Sequence, residues 1–290
     1  MKPAAFEYDA PTTVEEAAAL LGEHADSAKV LAGGQSLVPL LALRLTRFDR
    51  LVDVNRIPEL HRLHRDDGWL TIGSMVRQRV AERSTEVAVG APLLARALPR
   101  IGHFQIRNRG TIGGSLAHAD PAAELPAVAV ALDAQLVAAS RHGTRTIAAQ
   151  DFFVSMWSTS LAVDELLVAV RFPIWSGRCG FAIEEFSRRA GDFAIAGVAC
   201  AVELDGDDRV TRGGIALIGM GSTPVRASVA ESALVGETPA SVDLPAIAAA
   251  AAAGADAHDD IHATAAYRRR VVAHLAEAAI GRALKEAADD

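Results

Sequence analysis

Two glycine pairs carry the most pointed chemistry in this sequence. Leu31-Ala32-Gly33-Gly34-Gln35-Ser36-Leu37 and Arg109-Gly110-Thr111-Ile112-Gly113-Gly114-Ser115-Leu116-Ala117-His118-Ala119-Asp120-Pro121 lie about eighty residues apart. Each reads as a short apolar strand, a Gly-Gly pair, a small polar residue and an apolar restart. A Gly-Gly step admits positive φ and lets a ligand approach without meeting a Cβ. Successive amides in such a turn form a concavity suited to an anion. One Gly-Gly pair is usually just a turn, but two in the same context suggest a ligand with two phosphates clamped from both sides. Neither loop holds a lysine, and the chain has no Gly-x-x-x-x-Gly-Lys-Ser/Thr run, so backbone amides would make the phosphate contacts.

Other candidate groups have two readings each. Asp120, followed by Pro121, can accept hydrogen bonds from hydroxyls of a sugar or ribityl chain. It can equally be the N-cap of a helix over Pro121–Leu132, with proline at the first helical position. His118 is either a proton shuttle or a packed structural histidine. In Arg188-Arg189-Ala190-Gly191-Asp192-Phe193-Ala194 the aromatic Phe193 sits in a Gly-Asp turn entering a strand, where it stacks on a planar ring or fills the core. His61-x-x-His64 and His258-x-x-x-His262 have helical spacing but no third ligand in a known arrangement. No nucleophile elbow is present. Gly219-Met220-Gly221 has Pro224 where a dinucleotide fingerprint needs its third glycine. No catalytic side chain and no metal ligand is therefore assigned.

The bulk properties narrow the function classes. The chain has 290 residues, half of them hydrophobic, and a net charge of −7. That suits one large or two medium domains and argues against a nucleic-acid surface, which needs a clustered basic footprint. The one dense basic run, Arg268-Arg269-Arg270, reads as a solvated or salt-bridged helix face. Two cysteines, Cys179 and Cys200, give no disulfide framework and cannot hold an iron–sulfur cluster. Met1–Glu7 does not read as a secretory leader, and no apolar run approaches a membrane span of ~20 residues. A soluble, cytoplasmic protein is expected.

Those groups need positioning elements. Thr13-Val14-Glu15-Glu16 fits a capping box opening a helix that Gly22 ends. Strands are expected at Lys29–Ala32 and Leu51–Val54, with a first-turn helix or irregular segment over Leu37–Leu45. Trp69–Gly73 is a strand, Val76–Arg83 and Ala91–Leu98 are helical, and Gln135–Ala139 with Thr144–Ala148 form a hairpin. Asp151-Phe152-Phe153 opens a loop, and Glu165–Phe172 is a strand stopped by Pro173. Beyond Pro173–Gly177 the pattern changes to longer strands, Gly180–Ser187, Ala194–Leu204 and Val210–Leu217. Helices around Pro245–Ala253 and Tyr267–Lys285 follow. The fold class is α+β: a two-part N-terminal domain at 1–175, with subparts 1–56 and 57–175, and an antiparallel-sheet domain with helices at 176–290.

Several segments occur in the same order in one family. They are Ala32-Gly33-Gly34-Gln35-Ser36, Thr111-Ile112-Gly113-Gly114-Ser115 with Asp120-Pro121, Glu165-Leu166-Leu167 running to Pro173, and Arg189-Ala190-Gly191-Asp192-Phe193. Asp260 and Tyr267-Arg268-Arg269 extend the match to the last helix. The chain resembles the FAD-binding medium subunit of molybdenum hydroxylases of the aerobic carbon monoxide dehydrogenase and xanthine dehydrogenase type. The motifs are individually unspecific, but their order and spacing are specific.

The resemblance implies a PCMH-type FAD-binding domain and a flavoprotein C-terminal domain. It assigns the FAD pyrophosphate to Ala32, Gly33, Gly34, Gln35, Ser36 and Leu37 and to Thr111, Ile112, Gly113, Gly114 and Ser115. It brings Asp120 to the ribityl or pyrophosphate region, Leu167 near the flavin or adenine, and Phe193 over the isoalloxazine. Tyrosine is usual at the Phe193 position, so the stacking surface is kept and a hydroxyl is lost. The carbon monoxide dehydrogenase members compared carry histidine where this chain has Gln35, which points to the broader set of related enzymes. The partners implied are a molybdopterin-binding large subunit and an iron–sulfur small subunit in a heterotrimer, which can itself dimerise. The chain would pass electrons from those clusters through FAD to an external acceptor. Two rivals are a self-sufficient flavin reductase on the same fold and a non-catalytic nucleotide-binding assembly module.

Overall fold

The computed structural model describes residues 2–289. The chain opens on a three-stranded parallel sheet in which Arg50–Asp53 lies between Glu7–Asp9 and Ala28–Leu31. The helix Val14–His24 buries Ala17, Ala18 and Leu21 against it. Its start is the expected cap, with the Thr13 hydroxyl accepting the Glu16 amide at 3.1 Å. The Glu16 carboxylate, however, accepts the Thr12 amide at 2.7 Å, so the box is displaced by one residue. The helix also runs past Gly22 to His24, and the chain reversal at Ala25, with φ 41°, ends it.

The second part is a five-stranded antiparallel sheet in the order Leu63–Asp66, Trp69–Gly73, Leu166–Pro173, Gln135–Ser140 and Gly143–Ala148. Sharing its buried cluster is the helix Glu124–Ala131, every residue of which is buried. A helix apolar all round must be covered on all sides, and this one packs against the C-terminal sheet as well. That sheet orders Arg178–Phe186, Ala196–Leu204, Val210–Ile218 and Val225–Arg226, with helices Leu244–Ala253 and Ala265–Asp289 beside it. The largest buried cluster runs from Leu70 through Leu125–Leu132 to Ala199, Ala216 and Ile218, so the core continues across Pro173–Gly177.

Three expectations on the site side are corrected. The segment before the second glycine pair is a helix, Phe104–Arg109, and Ile112–His118 is another, so Gly113 and Gly114 form a first helical turn. The strand-then-turn pattern therefore holds for the first pair alone. The helix that follows Asp120 starts at Glu124 rather than Pro121, and Asp120 instead accepts the Ala122 amide at 2.9 Å in a local turn. Asp151-Phe152-Phe153 is not loop: Ala149–Phe152 is a helical turn and Phe153–Ser155 a short strand.

Candidate functional site

The first glycine loop follows the strand Ala28–Leu31 directly. Gly34 takes φ +75°, which glycine adopts without strain. The loop's first internal bond is the Val38 amide to the Gly34 carbonyl at 3.1 Å. Among the described residues, the amides of Gly33, Gly34, Gln35, Ser36 and Leu37 donate to no protein acceptor. Unpaired backbone donors are uncommon except where water or a ligand takes them, and a consecutive run is the anion-binding arrangement. Gln35 turns its side-chain nitrogen back onto the Gly33 carbonyl at 3.2 Å.

The second loop is built differently. Thr111 is its N-cap, and the Gly114 amide donates to the Thr111 hydroxyl at 3.0 Å. The amides of Ile112, Gly113 and Ser115 go to the carbonyls of Val76, Ser74 and Thr111. Ile112 is fully buried and pins the turn to the core. The amides of this loop are thus spent within the protein and form no free row.

The two loops touch. An ideal Cβ on Gly33 would overlap the Arg109 carbonyl and lie 3.0 Å from Gly110 Cα, so backbone meets backbone there. A polar clamp fixes the same junction. Asn55 donates to the Ala32 carbonyl at 2.9 Å, Arg77 donates to Asn55 Oδ1 at 2.5 Å, and Arg77 also donates to the Arg109 carbonyl. Asn55 is held in turn by Asp53, which accepts the Tyr8 hydroxyl at 2.5 Å. None of these four residues stood out in the sequence.

One cavity adjoins the two loops and a second lies further along the chain's midline. The smaller, about 310 Å³, is walled by Ala32, Gly113, Gly114, Lys29, Leu161 and Leu167 among others. The larger, about 900 Å³, lies between the two halves of the chain and includes Asp120, Phe193, Gly219, Asp260 and Arg268. Trp157 belongs to both walls. Of the expected site residues, Ala32, Gly113, Gly114 and Leu167 line the small cavity and Asp120 and Phe193 the large one. Gly33 and Ile112 are buried behind them, and Leu37 opens the helix Leu37–Ala42. Phe193 is 60% exposed, which excludes the core reading of that ring. Leu161, Lys29 and Trp157 were missed, since a lone leucine, lysine or tryptophan carries no pattern.

Arg268 floors the larger cavity: of the arginine run, Arg269 and Arg270 are exposed, and Arg268 is salt-bridged as expected but buried. It is 6% exposed and donates to the Ile195 carbonyl, to the Gly219 carbonyl at 3.3 Å and to Asp260 at 2.6 Å. Burial works against the Asp260 anion, but the amides of Ala263 and His262 and the Arg268 guanidinium outweigh it and bring its pKa down to about 2. His118 sits between Trp157 and Asp120, and burial lowers its pKa more than the Asp120 charge raises it, which favours a neutral ring at pH 7. Burial first and Glu185 second push the Glu124 carboxyl up to about 8. Glu185 is itself raised by burial, and its Oε2 has no hydrogen-bond partner among the described residues. Among the described residues no helix is long and apolar enough to cross a membrane, and no His, Cys, Asp and Glu side chains gather as a metal site.

The sequence and the overall fold match known proteins. Residues 4–175 match the family described as the FAD binding domain in molybdopterin dehydrogenase, and residues 181–283 the CO dehydrogenase flavoprotein C-terminal domain. The chain is 44% identical to the 6-hydroxypseudooxynicotine dehydrogenase complex subunit alpha of Paenarthrobacter nicotinovorans, covering 99% of this chain and 97% of that one. It is 40% identical to the caffeine dehydrogenase subunit beta of a Pseudomonas species, covering 100% of this chain and 97% of that one. Its fold superposes on a chain of carbon monoxide dehydrogenase from Hydrogenophaga pseudoflava with a TM-score of 0.95 at 37% identity, covering 99% of both. Matched in this way over nearly its whole length, the chain belongs to the FAD-binding medium subunits of the molybdenum hydroxylases, and its cofactor is FAD.

Proposed function

We propose that this chain is the electron-transfer subunit of a molybdenum-containing hydroxylase, taking electrons from iron–sulfur clusters of a partner and delivering them through FAD to an external acceptor. The relatives' names support the subunit role, since they describe components of dehydrogenase complexes. When bound, the flavin accepts electrons singly and releases them in pairs, and the protein supplies position and electrostatics. The large subunit would select the substrate. The division near residue 175, a cytoplasmic location and a heterotrimer with molybdopterin-binding and iron–sulfur subunits belong to the same reading.

The observation that carries the site assignment is the run of unpaired amides from Gly33 to Leu37. In this reading the pyrophosphate charge rests on those amides, with the Thr111 and Ser115 hydroxyls closing from the other side. The second glycine pair then acts as a buttress: its small residues let the helix Ile112–His118 approach, while its own amides stay committed to Ser74, Val76 and Thr111. The adenosine half takes the smaller cavity, near Leu161 and Leu167. The isoalloxazine takes the larger one against Phe193, where a ring face offers stacking that needs no hydroxyl. Asp120 presents a carboxylate to the hydroxylated chain between them.

Purified chain mixed with FAD should retain it through gel filtration and show a perturbed flavin spectrum. With its partners, the flavin should be reduced by the complex's substrate. Failure to retain FAD overturns the site assignment. Steady NADPH turnover by the isolated chain would favour the self-sufficient reductase, and a flavin never reduced in the complex would favour the assembly module.

A further inference from the structure

Trp157 sits at the tip of a small hairpin, Phe153–Ser155 paired with Ser158–Thr159. Its backbone has φ +60°, a conformation that a bulky L-residue keeps only where its surroundings enforce it. Two hydrogen bonds do so: the Trp157 amide to the Ala119 carbonyl at 3.1 Å and the indole Nε1 to Asp120 Oδ2 at 3.2 Å. Ala119 is itself left-handed, with φ +52°. The indole lies nearly parallel to His118, at 14° and 6.3 Å between ring centres. Core packing does not account for this arrangement, because Trp157 is 62% exposed.

What Trp157 does have is position. It belongs to the walls of both cavities, and the carboxylate it holds lines the larger one. Resting on the FAD reading of those cavities, we propose that Trp157 is a cofactor-contacting residue at the neck of the cleft, and that the hairpin carrying it is a strap that retains bound FAD. Its ring offers an apolar face at the neck. Its N–H fixes the rotamer of Asp120, whose two oxygens, among the described residues, accept only the Ala122 amide and the indole. A carboxylate has about four acceptor sites, so room is left for a sugar-type hydroxyl. Met156, beside Trp157 at the tip, lines the larger cavity and extends the same cover.

The experiment measures FAD release from the full-length chain by stopped-flow flavin fluorescence, for wild type, Trp157→Phe, Trp157→Ala and Val154→Ala. Val154 is exposed on the same hairpin and outside both cavity walls. Trp157→Ala, which removes the ring and the charge-assisted hydrogen bond, should release FAD roughly tenfold faster or more. Trp157→Phe should fall between it and wild type, and Val154→Ala should match wild type. FAD addition should also quench tryptophan fluorescence, with that change much reduced in Trp157→Phe. Melting curves of the cofactor-free variants separate release from unfolding. A wild-type release rate and full quenching in the Trp157 variants would overturn the proposal, as would equal acceleration by Val154→Ala. A wild-type chain that takes up no FAD would instead overturn the FAD reading beneath it.

Discussion

Gly33→Ala tests whether the two glycine loops must touch. The added methyl would meet the Arg109 carbonyl and sit 3.0 Å from both the Arg109 carbonyl carbon and Gly110 Cα. Carbon atoms prefer separations of about 3.5–4.0 Å, so the loops must part by at least ~0.5 Å. No flexible side chain can absorb this, because both sides of the contact are backbone. Overpacking of this kind costs roughly 1–3 kcal/mol. If the amide nest loses its alignment with the Thr111 and Ser115 hydroxyls by that amount, FAD affinity should fall about tenfold to a hundredfold, at ~1.4 kcal/mol per factor of ten. The assay is titration of cofactor-free protein with FAD, followed by fluorescence, with melting of the same samples. Gly206→Ala is the control, since a Cβ there meets nothing within 4 Å. Wild-type FAD affinity in Gly33→Ala, with the fold intact, would refute the idea that loop contact sets the site.

Three further outcomes are expected. Glu124 has a folded-state pKa of about 8 against an ordinary value of 4.5, so its neutral form is favoured by folding; the stabilisation is complete below pH 4.5 and is lost as pH rises through about 8. Denaturant melts across pH 5–9 should therefore show Glu124→Gln losing less stability with rising pH than wild type, by several kcal/mol, since each tenfold change in proton affinity is worth ~1.4 kcal/mol; parallel curves would refute it. Phe193→Ala should weaken FAD binding by roughly tenfold through lost stacking while leaving the melting temperature near wild type, and Phe193→Tyr should keep the affinity. Arg77→Gln, which breaks the bridge from Asn55 to the Arg109 carbonyl, should lower both FAD affinity and stability by ~1–3 kcal/mol, measured by titration and melting; a change in neither would show that the clamp is idle.

The parts of the site legible in the sequence were those where physics demands a residue type. Backbone cannot approach backbone through a Cβ, so Gly33 and Gly113 had to appear as glycines, and their pairing drew attention to both loops. Phe193 was legible because an aromatic after a Gly-Asp turn is conspicuous. The hairpin of Gln135–Ala139 with Thr144–Ala148 formed as read. Asp120 carried two readings, and the capping one was misplaced because Pro121 starts a turn and not a helix.

The sequence by itself determined that two glycine loops, an acidic residue and an aromatic stand in a family-specific order, and from that order followed the fold class and FAD. Only the tertiary structure decided how they divide the work. The two glycine pairs look alike as letters, yet one keeps its amides free and the other spends them on Ser74, Val76 and Thr111, residues whose proximity depends on the sheet and helix around them. Likewise Arg268 is one of three adjacent arginines, and only the rotation of its helix against Ile195 and Gly219 buries that one. Trp157 lies 37 residues from Asp120, and no spacing rule links them; a hairpin folding back over the cleft does. Hydrogen-bond allegiance and burial are properties of neighbours in space, and those neighbours exist only once the chain has closed around them.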